Sequence, residues 1–547
     1  MSTVDHGDHY DAIVVGSGFG GSVSAYRLAE GGKRVCLLER GKAWAPGQFP
    51  RSPRELACNF WDPSEGLHGF FQVWTFKGIE VLVSSCLAGG SIIYANVFIR
   101  KDEDWFVEPD GRPWPVTRAA LEPHYDNVER VMRPQRYPFD RPPFSETPKT
   151  RGLKFAAERL GVDWHLPLLN VTFANEGEEP AVGVPIATGE PNLHDARRST
   201  CRLCGECDIG CNFGSKNTLD FNYLSRFEHR GGEIRTMREV RRIEPGPSGG
   251  YRVGVIAHRE GLKTPSEQLP LEWLTADRVV VAAGSLGSTY LLLRNRDALP
   301  GLSRGSLGTR WCGNGDLLGF ATRSAIPLDA ARGPVITSAL RYEGRGGRGY
   351  YIEDGGYPLF VTYLLEASNV RQEVRRAARF GWQRLQQLRG KRESHLNAEL
   401  SELIGDGRHS AGVLPLLGMG RDIPDGELTL EDGYLECNWT METSRPYYEA
   451  VKQSMEDVCR ALGGKFKDEP LWYFKRNVTS HPVGGCPMGV SPADGVVDEF
   501  GQVFGHPGLA VVDGAVMPGP VGPNPSFTIA AFADRAAEWM LENWSPS

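Results

Sequence analysis

Asp11-Ala-Ile-Val-Val15-Gly16-Ser-Gly18-Phe-Gly20-Gly21 is the stretch on which the fold turns. Its first five residues form a short, apolar, β-branched run of the kind buried in a parallel sheet. The glycines follow at once, and residues 22–30, with Val23, Tyr26 and Leu28 apolar, read as a helix. A second strand is predicted over 34–38, and Glu39 ends it. Strand, glycine turn, helix and strand make a compact βαβ unit. In such a unit the first glycine makes the turn, the second admits a pyrophosphate, and the third lets the helix pack on the strand. Helix N–H groups then meet the phosphates. A carboxylate at Glu39 stands where ribose hydroxyls are held.

A second strand–glycine–helix unit lies far from the first. Asp277-Arg-Val-Val-Val-Ala-Ala283 leads into Gly284-Ser-Leu-Gly287 and a helical 291–294. The fold class is therefore α/β, with a Rossmann-like nucleotide domain assembled from separated segments. Between about 100 and 200 the chain is proline-rich and irregular, with a helix-like 121–132. Residues 321–477 mix strand-like pieces (359–365 and 428–438) with helices and are read as most of a substrate domain. No internal repeat is present.

With 547 residues, 40% of them hydrophobic and 10% aromatic, the chain can bury more than one large core. A net charge of −7 argues against general nucleic-acid binding, which wants a basic face. No apolar run approaches the roughly 20 residues that cross a bilayer. The first ten residues are polar and enter the first strand directly, leaving no room for a signal peptide, so the protein is read as cytoplasmic. Its eleven cysteines are then not a disulfide scaffold.

Near the C-terminus, His481-Pro-Val-Gly-Gly-Cys486, Asp513-Gly514 and Pro523-Asn524-Pro525 bring an imidazole and a carboxamide into play. Taking a hydride from an alcohol carbon requires the hydroxyl proton to leave too, and an imidazole suits that transfer. Asn524 before Pro525 reads either as an N-cap with proline at the first helical position or as a group turned toward substrate. Together with Leu87-Ala-Gly89-Gly90-Ser91-Ile-Ile93, the block from Val281 to Gly287, and the block from Asp513 to Arg535, these motifs occur in family order over nearly the whole chain. In them the chain resembles the glucose–methanol–choline (GMC) flavin oxidoreductases, and within that family the cholesterol-oxidase branch.

The resemblance implies non-covalent FAD, an FAD domain in three segments (1–99, 213–320 and 478–547), and a mixed segment (100–212). It also implies a substrate domain (321–477) whose antiparallel sheet roofs the flavin. Cofactor-binding positions are then Gly16, Gly18, Gly20, Gly21, Glu39, Gly89, Gly90, Ser91, Asn96, Val240, Gly284, Asp513, Gly514, Pro525 and Phe527. Backbone N–H groups near Phe527 would face the flavin pyrimidine, where the helix's positive end stabilises negative charge. His481 would take the hydroxyl proton and Asn524 would position the substrate oxygen. Glu353 falls, by order and spacing, where cholesterol oxidases carry the glutamate that moves a proton during steroid isomerisation. A plain exposed turn at Glu353-Asp354-Gly-Gly is the alternative. The chain departs from the family at Tyr94, where relatives often have asparagine, so the flavin contact there is backbone or Asn96. No histidine occurs in that stretch, which argues against histidyl-linked flavin.

The expected reaction is oxidation of a bulky apolar or sterol-like alcohol by hydride transfer to flavin N5, with O2 or another electron acceptor. Two alternatives stand: a dehydrogenase passing electrons through an iron–sulfur cluster to a protein or quinone, and an FAD-containing lyase without net redox. The cluster would sit at Cys201, Cys204, Cys207 and Cys211, whose spacing matches bacterial ferredoxins except that Asn212 replaces the usual proline. Zinc and plain structural thiols are the competing readings of the same four residues. Finally, 370–389 reads as a helix carrying six arginines against Glu373. It is either a solvated face or a peripheral membrane contact.

Overall fold

The structure is a computed structural model that describes residues 9–187, 191–247, 249–302, 305–344, 346–359, 361–362, 411–468 and 477–544. The opening unit runs β1 (His9–Val15), α1 (Phe19–Glu30) and β2 (Val35–Leu38). Further along the chain lie helix α2 (Arg118–Met132) and the short β3 (Asp163–His165). They are followed by β4 (Glu233–Arg235), β5 (Arg238–Pro245), β6 (Tyr251–Ala257), β7 (Glu272–Val281) and α3 (Gly284–Arg294). Then come β8 (Leu317–Thr322), β9 (Ala339–Tyr342), β10 (Tyr350–Asp354) and β11 (Leu414–Gly420). The chain closes with α4 (Arg445–Ala461), β12 (Lys465–Asp468), β13 (Leu509–Val511) and α5 (Ser526–Glu542).

Two sheets organise the molecule. The first has the order β4-β2-β1-β7-β6-β5, with β13 also on β7. Its centre is parallel: β1 pairs with β2 and β7, and β2 with β4. Strand β7 serves two neighbours on one edge. Residues 272–276 pair antiparallel with β6, and 279–281 pair parallel with β13. Segments from the start, middle and end of the chain thus share one sheet. Its central strands are buried on both faces, as their runs of valine, isoleucine and leucine require.

The second sheet, β12-β8-β11-β10-β9-β3, is antiparallel throughout. Alternation is clean in β8, whose residues go buried and half-buried in turn.

The last helix packs the termini together. Phe527 of α5 stacks on Phe98 with centroids 4.3 Å apart. Asp534 meets Arg27 of α1 at 3.2 Å and His124 of α2 at 2.8 Å.

Local differences from the sequence reading have physical causes. Helices α1 and α3 begin earlier than expected, because each glycine turn itself supplies the first helical residues. The apolar run at 428–438 is a hairpin, Leu428–Glu431 with Tyr434–Cys437, turned at Asp432-Gly433 with φ of 50° and 86°. Leu359, Val361 and Thr362 lie in a helical turn opened by Pro358, not in a strand. The arginine-rich 370–389 lies outside the described residues. Among the described residues no helix is long and apolar enough to cross a membrane.

Candidate active site

A cavity of about 670 Å³ lies at the C-terminal ends of the parallel strands, with β8 and β11 of the second sheet contributing to its far wall. The glycine turns make room for it. Gly16 has φ of 93°, and a Cβ there would stand 2.4 Å from the Ala282 carbonyl oxygen, so β1 and β7 can close only around glycine. A Cβ on Gly18, in contrast, would meet no protein atom within 4 Å: its open side is the cavity. Gly18 is also the N-cap of α1 and makes no side-chain cap, which leaves first-turn N–H groups without an intrahelical partner. That is a receptor for phosphate.

Glu39 stands beside it on the cavity wall. Its Oε2 accepts from Ser17 N (3.1 Å) and Ser17 Oγ (2.6 Å), and its Oε1 accepts from Gly41 N (2.9 Å). Burial pushes its carboxyl above the usual range, while the Gly41 and Ser17 hydrogen bonds pull it down. Asp513, whose backbone lies against Gly20, locks the second glycine turn by accepting from Gly284 N (2.8 Å) and Ala515 N (2.8 Å). Glycines at the phosphate position, a free helix N-terminus and a pre-set carboxylate at the strand end together suit a dinucleotide.

His481, Asp316 and Asn524 line the same cavity. The imidazole is fixed from behind. Its Nδ1 lies 2.8 Å and 3.0 Å from the two oxygens of Asp316, a residue almost wholly buried. Asn524 precedes α5, but Pro525 occupies the N-cap position, and no side chain caps the helix. The capping alternative for Asn524 therefore falls, because the helix starts one residue later than a cap at 524 needs. Its amide Nδ2 instead donates to Glu353 Oε2 at 3.4 Å, and its Oδ1 has no protein partner. Glu353 is fully buried on β10, directly across from Leu417 of β11, which lines the cavity. Burial pushes its carboxyl up to about 8, against the smaller lowering by Asn524. The exposed-turn alternative for Glu353 therefore falls.

The cavity wall includes Gly16, Gly18, Gly20, Glu39, Gly89, Gly90, Val240, Gly284, Asp513, Gly514 and Pro525. Gly21, Ser91, Asn96 and Phe527 lie behind it. Gly21 packs against the Gly16 carbonyl, where a Cβ would sit 1.9 Å away. Ser91 Oγ donates to Ala88 O (2.7 Å) and accepts from Leu219 N (3.2 Å). Asn96 is buried at φ of 72° beside the wall formed by Tyr94, Ala95 and Val97. The Phe527 ring is committed to Phe98 and Tyr125.

The four cysteines of the metal-site expectation stand off the cavity wall. They border a separate hollow of about 20 Å³, room for about one water. Among the described residues no three His, Cys, Asp or Glu side chains gather closely enough to hold a metal ion. Cys201 is drawn into an apolar cluster with Tyr137, Phe144 and Phe173, and burial pushes the Cys201, Cys204 and Cys207 thiols up, away from thiolate. None of the eleven cysteines forms a disulfide.

Sequence reasoning missed Asp316, whose Gly313-Asn-Gly-Asp setting reads as an ordinary turn. It also missed Asp208, which puts a carboxylate on the cavity wall beside the cysteine loop; burial pushes it up to about 6. Two lysines are buried as well. Lys101 Nζ donates to Pro520 O and Val521 O, both at 3.0 Å, and Lys216 Nζ ties Ile92 O, Tyr94 O and Cys207 O, each at 2.9 Å.

A family model described as GMC oxidoreductase matches residues 10–295, and a second with the same description matches 427–533. A cholesterol oxidase of Mycobacterium tuberculosis (strain ATCC 25618 / H37Rv) is 29% identical, over 96% of this chain and 90% of the relative. One of Acinetobacter baumannii is 27% identical, over 97% and 94%. Paromamine 6'-oxidase of Streptomyces fradiae is 24% identical, over 97% and 91%. Among solved structures, pyridoxine 4-oxidase from Mesorbium loti superposes with a TM-score of 0.55 at 17% identity, covering 98% of this chain and all of that one, which shows a shared fold.

Proposed function

This chain belongs to the GMC oxidoreductase family, a family of FAD-binding enzymes that oxidise alcohols, and from that premise we propose that it oxidises a bulky apolar, sterol-like alcohol. Bound FAD supplies the acceptor for the hydride that leaves the carbinol carbon. The rest is done by side chains of this chain. His481, with Nδ1 engaged by Asp316, turns Nε2 to the substrate and takes the hydroxyl proton. Asn524 holds the substrate oxygen. Leu318, Val335, Ile336, Pro415 and Leu417 give the cavity an apolar wall that receives a hydrocarbon frame and excludes water.

One observation carries this reading: His481 and Asn524 line the same cavity as the glycine turns and Glu39. The sterol-like class is supported by the apolar wall and by the similarity to the cholesterol oxidases of Mycobacterium tuberculosis and Acinetobacter baumannii. The test is an anaerobic titration of the FAD-loaded enzyme with a sterol, a long-chain primary alcohol and a sugar, followed by loss of the yellow absorbance. The sterol should bleach the flavin fastest. Equal or faster bleaching by the sugar overturns the apolar class, and no bleaching by any alcohol overturns the reaction. Readmitting air to the bleached enzyme, with and without an artificial acceptor, then separates oxidase from dehydrogenase.

A further inference from the structure

We propose that the turn Gly313-Asn314-Gly315-Asp316 is the positioning device of the site, and that Asp316 holds His481 as its Nδ1–H tautomer with Nε2 bare toward the cavity. This deepens the reading of His481 as proton acceptor and rests on it. Three groups converge on the buried Asp316 carboxylate. Oδ1 lies 2.8 Å from His481 Nδ1, and Oδ2 accepts from Ser480 N at 3.0 Å and from Thr479 Oγ1 at 2.9 Å. The carboxylate is thus oriented by the same short segment, 479–481, that carries the imidazole. Thr479 Oγ1 also accepts from His481 N at 2.9 Å, which closes the loop.

An ionised carboxylate only accepts, so the imidazole nitrogen facing it carries the proton. The other ring nitrogen is left with its lone pair, as a base requires. Were the tautomer reversed, Nδ1 would set a lone pair against a buried carboxylate, and Nε2 would present a hydrogen to the substrate hydroxyl.

The same turn holds the second functional group. Two residues before Asp316, Asn314 Oδ1 accepts from Gly522 N at 2.9 Å and its Nδ2 donates to Pro523 O at 3.1 Å. Those are the residues that lead into Asn524. One four-residue turn therefore sets an imidazole and a carboxamide, from separate stretches of chain, relative to each other. The turn depends on left-handed backbone at Asn314 (φ 55°) and Gly315 (φ 69°) before the chain enters β8. Asp316 is accordingly a positioning residue: it reaches the reacting atoms through His481.

Two measurements on the FAD-loaded protein test this. In the first, the chain is labelled with 15N-histidine, and the His481 signals are identified by their loss in His481→Gln. Their shifts should report a protonated Nδ1 and a bare Nε2 in the wild type, and a mixture or reversal in Asp316→Asn. A wild-type Nε2–H form overturns the proposal whether or not Asp316→Asn folds. In the second, Asp316→Asn should reduce its flavin about 10²–10⁴-fold more slowly at saturating alcohol. FAD content should match the wild type, and the alcohol dissociation constant should stay within about threefold of it. A variant that bleaches as fast as wild type overturns the proposal, as does one whose entire defect lies in alcohol binding. If the wild type itself is not bleached by any alcohol, the functional reading fails, and the tautomer measurement still decides the role of Asp316.

Discussion

His481→Ala removes the cavity's imidazole and leaves the glycine turns and Glu39 in place. Turnover should fall about 10²–10⁴-fold while FAD stays bound, which steady-state kinetics and the flavin absorbance together will show. Near-wild-type turnover would take His481 out of the mechanism. Glu353 makes a prediction of another kind, because burial pushes its carboxyl up to about 8. Below the ordinary carboxylate value the folded and unfolded chains are both protonated there, so the residue takes nothing from stability. As pH rises toward about 8 the unfolded chain gives up its proton while the folded chain keeps it, and stability falls through that window. Glu353→Gln does not titrate. Its Tm relative to wild type should therefore rise between pH 5 and pH 8.5, by about 2 °C or more; a difference that stays constant across that range contradicts the assignment. At this scale the candidate His481 and Asn524 were legible from their motifs. Asp316 was not, since an aspartate in a Gly-Asn-Gly-Asp turn looks like any turn residue until folding brings 479–481 to it.

The first two glycines of the first turn have separable duties. A methyl on Gly18 would enter open space at the head of α1, so Gly18→Ala should keep the Tm of the FAD-free protein and weaken FAD binding by about tenfold or more, measured by fluorescence titration. A methyl on Gly16 would strike the Ala282 carbonyl at an already left-handed φ, so Gly16→Ala should destabilise the protein itself by more than about 2 kcal/mol in urea unfolding. Reversed outcomes would mean that the turn is not built around the cavity. The βαβ unit and the β7–glycine–α3 unit were readable because strand, turn and helix are each local in sequence. The helical turn of Leu359, Val361 and Thr362 was not, because a short aliphatic run has no period that separates strand from helix, and Pro358 decided it. Asn524 likewise lost its capping role to a one-residue shift in where α5 begins.

Seen whole, the cavity is lined by residues from Val15 to Ile529, drawn from both sheets and both ends of the chain. A ligand that fits it can bind only the assembled molecule, so FAD should raise Tm in proportion to the logarithm of its concentration, with about 2.7 kcal/mol of stabilisation at a hundredfold excess over Kd. A thermal-shift titration that stays flat would contradict a cofactor site built from the termini. The sequence by itself determined the α/β class, the two strand–glycine–helix units and the order of the family's motifs, because each is written within a few adjacent residues. Only the tertiary structure decided which of those residues reach the cavity, that Glu353 is sealed beside Asn524, that the four cysteines keep to a hollow of their own, and that one turn holds the imidazole by a carboxylate. Burial, and contact between stretches hundreds of residues apart, arise when the chain closes on itself, and no local pattern records them.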